Sequence, residues 1–172
     1  MRSLILSVIL TVLFSVSLGA VNTGPISVYL YLIEFENISS DPTLDWMKAG
    51  LVDILSEGLN RNPAVAIKSK ADLEKIMNNR NVLLHQPKDL KNVLLLGKFT
   101  DKGGDVEIRM QLVNIAKWEQ VDQRIITGNI AEITSLSARL SDAVNTMLKP
   151  LIPGPVKTET TESRPLSGDI TL

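Results

Sequence analysis

The chain has 172 residues, 44% of them hydrophobic and 22% charged, with a formal net charge of −1 and no cysteine. That length suffices for one domain with a sizeable core, and the charge balance provides no basic surface of the size that nucleic-acid binding needs. The lack of cysteine excludes disulfides, thiolate metal sites, cysteine nucleophiles and lipid attachment through an amino-terminal cysteine.

Residues 1–20 read MRSLILSVILTVLFSVSLGA. Arg2 supplies positive charge, residues 4–16 are apolar apart from Ser7, Thr11 and Ser15, and Ser17, Gly19 and Ala20 are small. This is the three-part pattern of a secretory signal peptide, and the apolar run is shorter than the roughly 20 residues of a spanning helix. Cleavage after Gly19 places Ser17 and Gly19 in the two peptidase pockets, whereas cleavage after Ala20 places Leu18 in one of them. The expectation is a signal peptide over 1–19 and an exported product. No later segment is long enough to span a bilayer as a helix.

Residues 26–35 (ISVYLYLIEF) predict a strand apolar on both faces and therefore covered on both. Residues 37–43 are a polar loop. Met47, Leu51, Ile54, Leu55 and Leu59 recur at helical spacing, which predicts a helix over 44–61 with Thr43 as its N-cap. Gly50 and Gly58 each cost that helix roughly 1 kcal/mol against alanine. At least Gly50 is read as a position where the helix approaches the sheet closely. Asn62 and Pro63 end the helix, and residues 65–67 form a second strand, completing a βαβ unit.

A short helix over 71–79 follows, with Ser69 as N-cap and Leu73, Ile76 and Met77 as its stripe. Residues 81–91 read either as loop or as a turn of helix around Asp89, with Val82, Leu83 and Leu84 against the core. A third strand over 92–100, a Gly103-Gly104 turn and the alternation of Val106, Ile108, Met110 and Leu112 predict a β-hairpin. After a turn at 114–117, a fifth strand spans 118–130. Gln120, Asp122, Gln123 and Arg124 crowd its middle and place it near a sheet edge. Leu136, Leu140, Val144, Met147 and Leu148 predict a helix over 134–149, capped by Thr134 or Ser135 and stopped by Pro150. Residues 150–172 are expected to be a disordered tail. The predicted fold is α/β (α+β). It is a single domain over 26–149, with a mixed five-stranded sheet in the chain order strand-helix-strand-helix-strand-strand-strand-helix, covered by amphipathic helices.

Chemistry-bearing groups are sparse. His85 is the one histidine and has no accompanying motif, Gly103-Gly104 lacks the spacing of a phosphate loop, and Asp53 with Glu57 reads as a solvated helix face. No catalytic, metal or cofactor-binding residue is expected, and no cofactor. Of the two tryptophans, Trp46 is read as core near the loop. Trp118 lies by a turn, where packing is favoured and an exposed interface anchor is the alternative. The candidate partner contacts are Trp118, Gln120, Asp122 and Arg124, on the strand nearest the edge.

Residues 31–77 combine a strand ending in Phe-x-Asn, a polar loop, a Trp followed by a Gly-Leu helix, a short strand and a Leu-Glu-Lys-Ile helix. Gly97-Lys98-Phe99, the Gly-Gly turn, residues 108–113 (IRMQLV) and a strand ending in Thr127-Gly128 continue the pattern. Over 26–149 this resembles the FlgO-like branch of the superfamily that includes the TolB amino-terminal domain, with the curli-secretion protein CsgG and the LpoB activator as more distant relatives. The resemblance implies an exported envelope protein, periplasmic or outer-membrane-associated, acting without catalysis through contacts with envelope proteins or copies of itself, as in flagellar or surface assembly. Two departures matter. There is no cysteine to lipidate, and the hairpin carrying Glu107, Arg109 and Gln111 does not suit a membrane channel. A periplasmic small-molecule binding domain is the alternative reading, and a hydrolase built on Ser or Asp a third.

Overall fold

The structure, a computed structural model, describes residues 25–153. The expected signal peptide and residues 154–172 of the expected tail lie outside the described residues. The strands are β1 (Val28–Leu32), β2 (Glu36–Asn37), β3 (Val65–Lys68), β4 (Lys91–Asp101), β5 (Asp105–Asn114) and β6 (Glu119–Asn129). The helices are α1 (Met47–Leu59), α2 (Lys70–Asn78), α3 (Asn81–Leu84) and α4 (Ile133–Leu148). Single 3-10 turns occupy Pro42–Leu44, Ile130–Glu132 and Lys149–Leu151.

The sheet runs β3-β1-β4-β5-β6. β1 lies between β3 and β4 and is parallel to both, so the first half is built from crossovers through helices. β4, β5 and β6 form an antiparallel meander. The sheet is mixed, as the sequence predicts, but has six strands rather than five. The additional strand is the two-residue β2, which pairs with β4 at Lys98 and Phe99. The predicted strand over 26–35 is broken after Leu32, and the chain rejoins the same edge of β4 at Glu36.

Phe35 explains that break. It is buried, its N–H is anchored on the Lys48 carbonyl at 3.1 Å, and its ring lies on the Cα of Gly97 in β4. Gly97 has no side chain on the core face, and the phenyl ring fills the space that one would take. Covering a strand glycine with an aromatic ring is a known way of restoring packing there.

β1 is apolar on both faces because each face meets different helices. Val28, Leu30 and Leu32 join Val93, Leu95 and Phe99 of β4 and the inward residues of β5 under α1 and α4. Tyr31 and Leu94 point the other way into a smaller core with Leu73 and Ile76 of α2 and with Ile115. α2 and α3 cover only the parallel half, so among the described residues this second face of the meander is open. In the smaller core the Tyr31 hydroxyl donates to Asn92 Oδ1 at 3.1 Å, and Asn92 Nδ2 donates to Gln86 Oε1. Burial, reinforced by Asp72 and Tyr29, pushes the Tyr31 hydroxyl up to about 12, so it stays a neutral donor.

Several local expectations are corrected. α1 starts at Met47 after a 3-10 turn, and Thr43 does not cap it. Instead Asp41 caps that turn, accepting the Thr43 N–H at 2.8 Å. Asn129, not Thr134 or Ser135, caps the segment entering α4, accepting the Ala131 N–H at 2.8 Å. Ser69 does cap α2, in a capping box with Asp72, whose carboxyl is held down at about 2 by Lys75 and Ser69. The expected close approach to the sheet at Gly50 is not found; the close approach on α1 is at Gly58 and is made to a helix. A Cβ on Gly58 would overlap the Ser141 side chain of α4, a helix–helix contact, whereas Gly50 faces only the Trp46 ring at 3.4 Å. Trp46 is 54% exposed and so is not core. Met77 is also exposed, and of the 82–84 run only Leu83 packs inward. α3 has four residues, a single turn that can bury one of three consecutive apolar side chains.

Candidate functional site

β6 ends the sheet. It has eleven residues and pairs along one side with β5; among the described residues no strand pairs with its other side. α4 packs on one face of it, where Leu136 meets Gly128. The result is a long edge of backbone donors and acceptors beside an open sheet face.

The four sequence-predicted contact residues all lie on or next to this strand, but not on one face. Gln120 belongs to the open face, where its Oε1 accepts from Gln111 Nε2 at 2.7 Å. Asp122 and Arg124 stand opposite Leu112 and Met110, on the α4 side, and form an ion pair at 3.1 Å. A bulge between the Gln120 and Asp122 pairings lets Val121 turn into the core. Trp118 precedes the strand, in the turn. It is 46% exposed, and its φ of 58° is the one positive value among the described non-glycine residues. Arg80 reaches this turn from the end of α2, with its guanidinium 5.9 Å from the Trp118 ring and its Nη2 3.5 Å from the Ile115 carbonyl oxygen.

Ile125 is a residue that the sequence reading missed. It is 52% exposed and faces outward opposite Arg109, while Ile126 packs against the main core. Two adjacent isoleucines on an edge strand must point to opposite faces, which is the available signal in the sequence.

Beside the edge, the open face sinks into a depression of about 330 Å³ where β1 stops short of β2. Glu34, Glu36, Lys98, Arg109, Gln111 and Gln123 ring it, and Leu96 contributes an apolar wall. Lys98 has Glu36 and Arg109 as its cross-strand partners. Arg109 pairs with Glu107 at 2.7 Å, which lowers the Glu107 carboxyl below its ordinary range. Acidic and basic side chains thus stand side by side on this face, and of them Arg109 is held in an ion pair. A second depression, of about 650 Å³, lies between α1 and the end of β3, with Asp53, Lys68 and Lys70 on its rim.

His85 is exposed, and its Nδ1 is 2.9 Å from the Asn81 carbonyl oxygen. Asp53 and Glu57 are exposed on α1. Among the described residues no three His, Asp or Glu side chains are grouped to hold a metal ion. No described helix is long and apolar enough to cross a membrane.

No protein-family model matches the chain, and no curated protein matches it significantly. Solved structures do. TolB from Acinetobacter baumannii aligns at 20% identity and a TM-score of 0.50, over 74% of this chain and 29% of that one. A PelC dodecamer from Paraburkholderia phytofirmans aligns at 13% identity and a TM-score of 0.45, over 76% and 90% of the two chains. The LpoB carboxy-terminal domain from Escherichia coli aligns at 15% identity and a TM-score of 0.39, over 65% and 89%. The PelC and LpoB likenesses are too distant to argue from. This chain thus spans less than a third of the TolB chain, and the described domain is similar in fold to that part of it.

Proposed function

We propose that this is an exported envelope protein of the FlgO-like kind that works through protein contacts, without catalysis, and that partners dock along β6. Residues 1–19 direct export, and the product is periplasmic or outer-membrane-associated. The observation that carries the reading is the eleven-residue strand β6, whose outer side pairs with no strand among the described residues, and its outward Ile125. An added strand satisfies such an edge through main-chain hydrogen bonds, and alternate side chains set specificity. Asp122 and Arg124 fit this use, since charge on an edge discourages indiscriminate pairing. A small-molecule site at the depression of about 330 Å³ is the weaker reading, because ligand pockets are mostly apolar and this one is ringed by Glu34, Glu36, Lys98 and Arg109.

Exchanging the two charges (Asp122→Lys with Arg124→Glu) tests the reading. The exposed pair is worth about 0.5 kcal/mol or less, so the melting temperature should stay unchanged. Tagged protein purified from cross-linked envelopes should lose its co-purifying partners. A partner set identical to that of the parent would contradict docking at β6.

A further inference from the structure

One end of the domain, where β6 begins, carries exposed side chains that the core does not use. β1, β3 and β4 begin there and β5 ends there: Lys91 N–H donates to the Ser27 carbonyl at 2.8 Å, Val28 N–H to Ala64 at 3.0 Å, and Ile115 N–H to Asn92 at 3.0 Å. α3 and the 115–118 turn close this end, tied together by Arg80. Leu83 packs into the smaller core, which leaves Val82 and Leu84 outward, Leu84 at 80% exposed. Arg80, which leads into α3, lies over the ring of Trp118, and Trp118 takes a left-handed backbone that glycine or asparagine adopts more readily.

The segments 80–91 and 114–119 that close this end carry an excess of positive charge: Arg80, Lys88, Lys91 and Lys117 against Asp89 and Glu119, in a chain whose overall charge is −1. The Lys117–Glu119 pair is 4.0 Å apart with both side chains strongly exposed, so it neutralises little. Projecting apolar side chains, one of them tryptophan, on an end of the domain with an excess of long cations suit an anionic bilayer surface, where tryptophan sits at the headgroup level and the cations meet phosphates.

We propose that this end of the domain docks on an anionic lipid surface. Leu84 and Trp118 enter the headgroup layer, and the four cations meet lipid phosphates. The inference goes beyond the protein-contact reading and takes from it only the setting, an exported protein with no cysteine to carry a lipid.

The test uses the processed chain, purified from the expressing cell, with vesicles of phosphatidylcholine alone or mixed with phosphatidylglycerol. Co-sedimentation is expected with the mixed vesicles only and is expected to be lost in high salt. Leu84→Ser with Trp118→Gly should reduce it roughly tenfold or more, and Lys88→Glu with Lys117→Glu by a similar factor. Glycine suits the backbone at position 118, so the melting temperature of the first variant should not fall. In a Trp46→Phe background the emission of Trp118 should shift to shorter wavelength on the mixed vesicles. Binding indifferent to phosphatidylglycerol, or retained by either double variant, would overturn the proposal. So would loss of self-association or of a protein partner, rather than of vesicle binding, in these variants. Failure here leaves docking at β6 standing, because the Asp122 and Arg124 exchange does not touch this end.

Discussion

Gly97→Ala is expected to lower stability by about 3 kcal/mol, the upper part of the range for forcing extra atoms into a packed core. A Cβ at this position falls inside the Phe35 ring. The ring cannot simply withdraw. Phe35 is buried, its N–H is bonded to Lys48, and the strand it interrupts is paired with β4 on both sides of the break. Urea denaturation measures the loss. In a Phe35→Leu background the added methyl has somewhere to go, so the cost of Gly97→Ala should fall by more than about 1 kcal/mol. Two costs that simply add would mean that the ring is not what Gly97 accommodates.

The glycines of α1 give the second large effect, with opposite signs at two positions. Alanine is favoured over glycine in a helix interior by roughly 1 kcal/mol. At Gly58 that gain is outweighed, because the new Cβ would come within 2.8 Å of Ser141 Cβ on α4. Overpacking of about 3 kcal/mol less the propensity gain leaves Gly58→Ala destabilised by about 2 kcal/mol. At Gly50 the nearest group is the exposed Trp46 ring at 3.4 Å, so Gly50→Ala should be stabilised by about 0.5 kcal/mol or more. Denaturation midpoints that move together at both sites would refute this picture of the α1–α4 crossing.

These two glycines mark the limits of the sequence reading. Periodicity located every element from β3 to α4 that is long enough to have a period, and it named the buried stripes of α1 and α4. It also placed β6 at the edge, from the polar side chains in its middle. What it could not supply is which surface meets which. Gly50 and Gly58 are equivalent in the sequence, and only the crossing of α1 with α4 separates them. Residues 26–35 read as one strand because Phe35 continues the apolar run, yet its ring is used sideways on Gly97 and breaks the pairing. α3 is one turn, too short for a period, so three apolar residues in a row did not reveal that only Leu83 is buried.

The candidate site was legible in part for the same reason. The strand carrying Gln120, Asp122 and Arg124 was identified, but its bulge at Val121 sends Gln120 to one face and the charged pair to the other. Alternation counted straight along the strand cannot register an inserted residue. Trp118 and Trp46 were expected to pack, on the habits of their residue type. Trp118 instead depends on a backbone conformation rare for its kind, and Trp46 lies along the first turn of α1 over Gly50.

Hydrogen exchange of the purified chain, resolved residue by residue, tests most directly whether β6 is an edge open to partners. The expected result is slow exchange along the paired segment of β4 at Val93, Leu94 and Leu95 and at Ile108 and Met110 of β5, with alternate amides from Gln120 to Gly128 exchanging fast. Uniform protection along β6 would contradict it, because the edge would then already be paired and could not receive another protein.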